Sequence, residues 1–188
     1  MYTPVDIVNI GLSKIGAARI RQMDGARNSV EAFCASNYEH WARSELAKHR
    51  WLFATRTITL TQVVQDQPTT DKVYALPTEV VRPIRDAHVE WQQEGRFIRT
   101  AQSTLTIRAI VDTETENYDA LFVEVLACRV AVECCEYITQ SNTKKQVAEA
   151  MYEKAVTDAR RFNAFTRGPE QAVGADDYPF LTERYQLL

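Results

Sequence analysis

The sequence has no long apolar run, no basic excess, no glycine-rich phosphate loop and no cysteine pair at ligand spacing. Each absence removes a class of protein. No stretch reaches the roughly 20 apolar residues that cross a bilayer as a helix. The start of the chain has no basic segment followed by an apolar core, so no signal peptide is expected and no membrane partner. The formal net charge is −3 with 25% charged residues, which is ordinary for a soluble chain. Without a Lys/Arg cluster to displace counterions, contact with a nucleic acid is expected to be passive rather than gripping. The four cysteines are Cys34, Cys128, Cys134 and Cys135. Their spacing suits neither a secreted disulfide framework nor a zinc site, and they read as small apolar core residues in a reducing cytoplasm.

Catalytic signals are also scarce. His40, His49 and His88 are the three histidines, and none belongs to a metalloprotease pair. No serine or cysteine stands in a nucleophile-elbow setting. The acidic run Asp112-Thr113-Glu114-Thr115-Glu116 lacks the central glycine and closing glutamate of a calcium loop. No metal, cofactor or enzymatic activity is therefore expected. The competing enzyme class is a glycan or peptidoglycan hydrolase, which needs two carboxylates facing each other across a cleft. Glu90, Glu94, Asp112 and Glu114 are its nearest candidates, and each reads better as a solvated loop charge.

What is present is a change of period. A chain of 188 residues favours one domain, or one body with an insert, and buries roughly 70% of its unfolded surface. Thr3-Pro4-Val5-Asp6 opens a helix with an N-cap, a proline at the first helical position and an acid at the positive end of the dipole. Gly16 stops it, and residues 17–27 read as an exposed loop. A second helix is predicted from Asn28-Ser29 to Arg50, with Val30, Phe33, Cys34, Tyr38, Trp41 and Ala42 as its apolar stripe. Glu39 and Arg43 sit four apart on its solvated side.

Alternation then replaces helical spacing. Residues 55–63 read as one strand and 65–72 as a polar loop. Residues 73–76 form a short strand stopped by Pro77, and 81–91 are extended. Gln92-Gln93-Glu94-Gly95 is the expected hairpin turn into Arg96-Phe97-Ile98, with Trp91 near an exposed tip. Leu105, Ile107, Ala109 and Val111 alternate again. This gives four or five strands in an antiparallel meander. Arg82 and Arg85 have Asp86 or Glu79 as candidate partners, or a neighbouring subunit. Trp51 and Phe53 are expected to close helix two and pack the start of the sheet on the helices.

Helix three is predicted over 118–140 and is apolar on most sides, with Arg129, Glu133 and Glu136 as its polar face. It should be the spine of the core. Helix four, 144–165, follows a short connection and forms an antiparallel hairpin with it. The expected fold is α+β: an antiparallel helical bundle of about four helices, an inserted β-meander and an extended C-terminal tail. The segments are 1–51 (helical body, first half), 52–112 (β-rich insert), 113–167 (helical body, second half) and 168–188 (tail). The tail carries Tyr178, Phe180, Leu181, Tyr185, Leu187 and Leu188, too aromatic for a purely solvated end. Two readings stay open: a strap over its own domain, or an arm that orders on a partner.

The motifs also come in a familiar order. Asp6-Ile7-Val8-Asn9 leads to Ile15-Gly16, then Trp51-Leu52-Phe53-Ala54-Thr55-Arg56. Tyr74-Ala75-Leu76-Pro77-Thr78-Glu79 and Arg82 follow, then Glu94-Gly95-Arg96-Phe97-Ile98. Tyr118-Asp119-Ala120-Leu121-Phe122 and Ile138-Thr139-Gln140-Ser141 complete the set. In this order and spacing, over roughly residues 5–162, the chain resembles the tail tubular protein A family, the head-to-tail connectors or portal adaptors of short-tailed bacteriophages. Glu79 stands where that family often has Asp, and the C-terminal tail matches no family pattern. The resemblance implies a virion structural protein at the head–tail junction, made in the host bacterial cytoplasm. It implies a ring, typically of twelve copies, between the portal protein and the tail nozzle protein. Double-stranded DNA would pass through its channel during packaging and ejection without sequence-specific binding. A portal-binding arm would then be the aromatic tail. The nozzle- or neighbour-facing surface would be Trp91, Glu94, Gly95 and Arg96, with Trp51, Phe53, Leu76, Pro77, Arg82 and Phe122 as structural motif positions. A head-completion protein of long-tailed phages is the alternative within the same class.

Overall fold

A computed structural model describes residues 1–63, 71–85 and 89–167. In chain order the elements are α1 Pro4–Lys14, α2 Ser29–Lys48, β1 Thr55–Thr59, β2 Thr61–Val63, β3 Lys72–Ala75, β4 Val80–Ile84, β5 Gln92–Glu94, β6 Phe97–Thr100, β7 Thr106–Val111, α3 Ala120–Thr139 and α4 Asn142–Arg167, with a short 3₁₀ turn at Thr115–Asn117. The fold is α+β, with antiparallel sheets set between two pairs of helices.

The helix ends follow from local chemistry. The Thr3 hydroxyl accepts from the Asp6 amide at 3.2 Å and the Asp6 carboxylate accepts from the Thr3 amide at 2.9 Å, a reciprocal cap that satisfies two orphan donors. These bonds hold the Asp6 carboxyl below the usual carboxylate range. Gly16 closes α1 at φ 70°, and the Ala17 amide bonds back to Leu12 at 3.0 Å. Asn28 caps α2 by accepting from the Glu31 amide at 2.8 Å, and Asp119 caps α3 through the Leu121 amide at 2.8 Å.

α3 is the centre of the helical part. Phe122, Val125, Leu126, Val130 and Cys134 are fully buried, because α1, α2 and α4 each pack on it. α1 comes closest through Gly11: a Cβ there would lie 2.5 Å from the Ala127 carbonyl oxygen. α4 lies against α3 with Ala148, Tyr152, Ala155 and Ala159 turned inward. Gln140, in the left-handed region at φ 50°, carries the tight turn between them.

Residues 17–27 are not simply an exposed loop. Ile20 is buried, and the Asn9 side chain holds it on both sides, donating to the Ile20 carbonyl at 3.1 Å and accepting from its amide at 2.8 Å. Glu31, buried at 3% exposure, accepts from the amides of Arg27 at 2.7 Å and Arg21 at 3.2 Å.

The β part departs from a single meander. The strands form two sheets among the described residues, in the orders β1-β7-β4 and β2-β3-β6-β5, so the first and last strands are neighbours. The expected strand over 55–63 breaks at Leu60, whose amide bonds to the Leu105 carbonyl at 2.9 Å. Its two halves then enter different sheets. Gln92 to Glu94 are strand rather than turn; the two-residue loop is Gly95-Arg96, with Gly95 at φ 60° where such a hairpin needs positive φ. β7 separates two cores. Ile110 faces the core shared with the helices, whereas Ile107, Ala109 and Val111 face a second core with Tyr74 and Ile98 of the other sheet and with Leu76 and Trp91 beside its strands. The predicted positions Asp86 and His88, most of the loop over 65–72, and the whole tail over 168–188 lie outside the described residues.

Candidate functional site

The junction between helices and sheets is aromatic. Trp51, 2% exposed, donates from Nε1 to the Glu45 carbonyl at 2.9 Å and meets the buried ring of Phe122 edge-on at 5.0 Å. Phe53 lies 5.0 Å from Phe122 and 5.8 Å from Tyr118. These rings fix where the chain leaves α2 and where it enters α3. Leu76 is buried in the second core, Pro77 is half-buried beside it, and Arg82 is exposed on β4.

The expected tip of the insert is only partly exposed. Trp91 is 8% exposed and belongs to the second core. The Arg85 guanidinium covers its ring at 5.4 Å and donates to its carbonyl at 3.1 Å. The indole therefore faces inward, packed in the second core just before β5 and covered by Arg85. Glu94 is exposed and pairs with Arg99 at 3.1 Å. Gly95 is exposed. The Arg96 guanidinium donates to the carbonyls of Leu76 and Pro77, stapling the hairpin to the end of β3.

An open hollow of about 970 Å³ lies beside Trp91, and a second concavity lies elsewhere. An open groove of about 820 Å³ runs between the start of α1, the outer side of α2 and residues 112–118. Val5, Met23 and Ala42 supply apolar wall, while Asp24, Glu39 and Glu114 supply carboxylates. Arg43 does not pair with Glu39. It reaches across to Asp112 at 2.9 Å and to the Thr78 carbonyl at 3.3 Å, tying α2 to the loop after β7. Tyr38, 5% exposed, lines this groove, and its buried hydroxyl lies beside the Thr115 side chain. Burial pushes that hydroxyl up to about 12, with the Thr115 side chain opposing the shift. Burial raises Tyr118 as well. Both phenols stay protonated near neutrality, so they act as donors rather than bases. His40 lines the same groove, and His49 is half-buried with its imidazole held low by burial and Arg160.

The carboxylates considered for hydrolysis are divided. Asp112 and Glu114 line the groove, Glu90 lines a separate hollow beside Trp91, and Glu94 is bound to Arg99. Among the described residues no group of three or more His, Cys, Asp or Glu is placed to hold a metal ion. All four cysteines are buried, with the Cys34 and Cys134 sulfurs 3.8 Å apart across α2 and α3. No described helix is long and apolar enough to cross a membrane.

The outer face of α4 is the other notable surface. Val147, Met151, Phe162 and Phe165 are 50%, 40%, 55% and 77% exposed. At helical spacing they fall along one side of α4, beside the face that packs on α3. The first half of this stripe carries no sequence signal that separates it from the core stripe. Tyr178, Phe180, Leu181, Tyr185, Leu187 and Leu188 fall outside the described residues. No family model matches the chain, and no curated protein matches it.

Proposed function

We propose that the chain is a bacteriophage virion structural protein, a head-to-tail adaptor that forms a ring between the portal and the tail nozzle. The observation that carries this is the pair of unlike faces on one subunit: an acidic, apolar-floored groove and an apolar stripe along α4. A closed ring of identical copies needs two different complementary faces, whereas a two-fold dimer needs one face that matches itself. The ordered motifs over residues 5–162 support the same assignment. In this arrangement the four helices are a bundle forming the wall of the ring. The β part over 52–112 is an insert that carries Glu94, Gly95 and Arg96 toward the nozzle or a neighbour.

Double-stranded DNA passes through the channel without being gripped, in keeping with a net charge of −3. The aromatic residues of 168–188 are an arm that orders on the portal. Mass measurement of the purified protein, alone and mixed with the portal protein of the same phage, tests the proposal. A ring-sized complex on the portal is expected; a chain that ignores the portal contradicts it. Hydrogen exchange tests the arm: protection of residues 170–188 that arises only on the portal supports it, and protection already in the free chain supports the strap.

A further inference from the structure

We infer that the acidic groove beside Tyr38 receives the end of α4 from a second copy of this chain. The occupant's identity as a second copy rests on the ring proposed above; the pairing of surfaces rests on the following geometry.

The groove offers two things to an incoming segment: apolar wall at Val5 and Met23, and carboxylates at Asp24, Glu39 and Glu114. The end of α4 is the counterpart. Phe162 and Phe165, three apart and so on one helix face, are its most exposed described aromatics at 55% and 77%. Arg161, four residues before Phe165, is exposed on that side together with Asp158, whereas Arg160 lies on the other side near His49. An aromatic pair beside Arg161, set into an apolar trough rimmed by carboxylates, matches in polarity and brings a cation to the acidic rim.

The two surfaces also lie at one end of the helical part. Phe162 lines a small pocket with Phe53 and Asp119, whereas Tyr118 lines the groove, and the Phe53 and Tyr118 rings are 5.8 Å apart. Donor and receiver thus flank the start of α3, on either side of one aromatic cluster. Copies joined head to tail this way repeat as a ring or an open helix, whereas reciprocal exchange stops at a dimer, and the cross-linked ladder distinguishes the two. The chain's own last residues suit the groove less well. Residues 168–188 hold Glu170, Asp176, Asp177 and Glu183 against Arg184, a net negative segment facing a negative rim.

Cysteine cross-linking of the full-length protein tests this. All four native cysteines are buried, so thiols introduced by Glu39→Cys and Phe165→Cys are the accessible ones. Mild oxidation of the double variant should give a ladder of multimers. A mixture of the two single variants should give heterologous dimers, and Glu39→Cys alone should give few. Independently, Arg161→Glu should weaken self-association on the order of tenfold, and Glu39→Lys on the partner copy should restore it. Rings that form on the portal without this cross-link overturn the pairing and leave the adaptor proposal standing. A chain that neither self-associates nor binds the portal overturns both. A cross-link that vanishes when residues 168–188 are removed also overturns the pairing, because the tail would then be the occupant.

Discussion

The Tyr152 hydroxyl donates to the Glu45 carboxylate at 3.0 Å, joining α4 to α2 across 107 residues of sequence. Glu45 is fully buried, and Lys48 closes the group, donating to Glu45 at 2.6 Å and to the Tyr152 oxygen at 2.8 Å. A carboxylate is tolerated there because each oxygen has a donor.

Removing one member should therefore loosen α4. Tyr152→Phe is expected to cost about 1–2 kcal/mol in chemical denaturation, since it strips a donor from a buried charge. Glu45→Ala should cost more, about 3 kcal/mol, through lost pairing and a cavity. The double variant should fall short of the sum, because the two side chains share one interaction.

Gly11 is expected to reject even a methyl group. In an ordinary helix Gly→Ala gains up to ~1 kcal/mol. Here the new Cβ would meet the Ala127 carbonyl at 2.5 Å and Val130 Cβ at 2.8 Å, neither of which can swing aside. Gly11→Ala should destabilise by about 1–3 kcal/mol in the same assay. A gain in stability would show that α1 does not sit this close to α3.

Acid should release the 17–27 loop. The amides of Arg27 and Arg21 hold the Glu31 carboxyl below the usual carboxylate range. A group with a depressed folded value contributes stability that is present above its unfolded value and lost as pH falls through the folded one. Limited proteolysis within residues 17–27 should accelerate as pH drops below the ordinary carboxylate range. In Glu31→Gln it should be fast throughout and lose that pH dependence. Acid-independent cleavage of the unaltered chain would contradict the pin.

All three tryptophans, Trp41, Trp51 and Trp91, are buried, at 4%, 2% and 8% exposure. Emission should be blue-shifted and nearly insensitive to iodide until the chain unfolds. Selective quenching lost in Trp91→Phe would return that residue to an exposed tip.

Thr3, Pro4, Asp6 and Gly16 specify α1 because capping acts within one turn, and Asn28 and Asp119 do the same for α2 and α3. The apolar stripe of α2 is legible from helical spacing, whereas on α4 the same spacing places Phe162 with Ala148, Tyr152, Ala155 and Ala159, and Phe162 is 55% exposed. What the sequence hid depends on distant partners. Nothing near Leu60 says that Leu105 will bond to it and divide one strand between two sheets. Alternation alone did not say that Trp91 packs in the second core. Arg43 has an acid one turn away at Glu39, yet pairs with Asp112. The groove beside Tyr38 had no signal, since Tyr38 falls on the apolar stripe and its acids come from separate segments. Glu45 likewise looks like any helix glutamate until α4 covers it.

The adaptor role is tested most directly in the virion. Particles assembled without this chain should be DNA-filled heads that lack tails and lose their genome, and adding the purified protein with tail components should restore infectivity. Tailed, infectious particles formed in its absence would contradict the role.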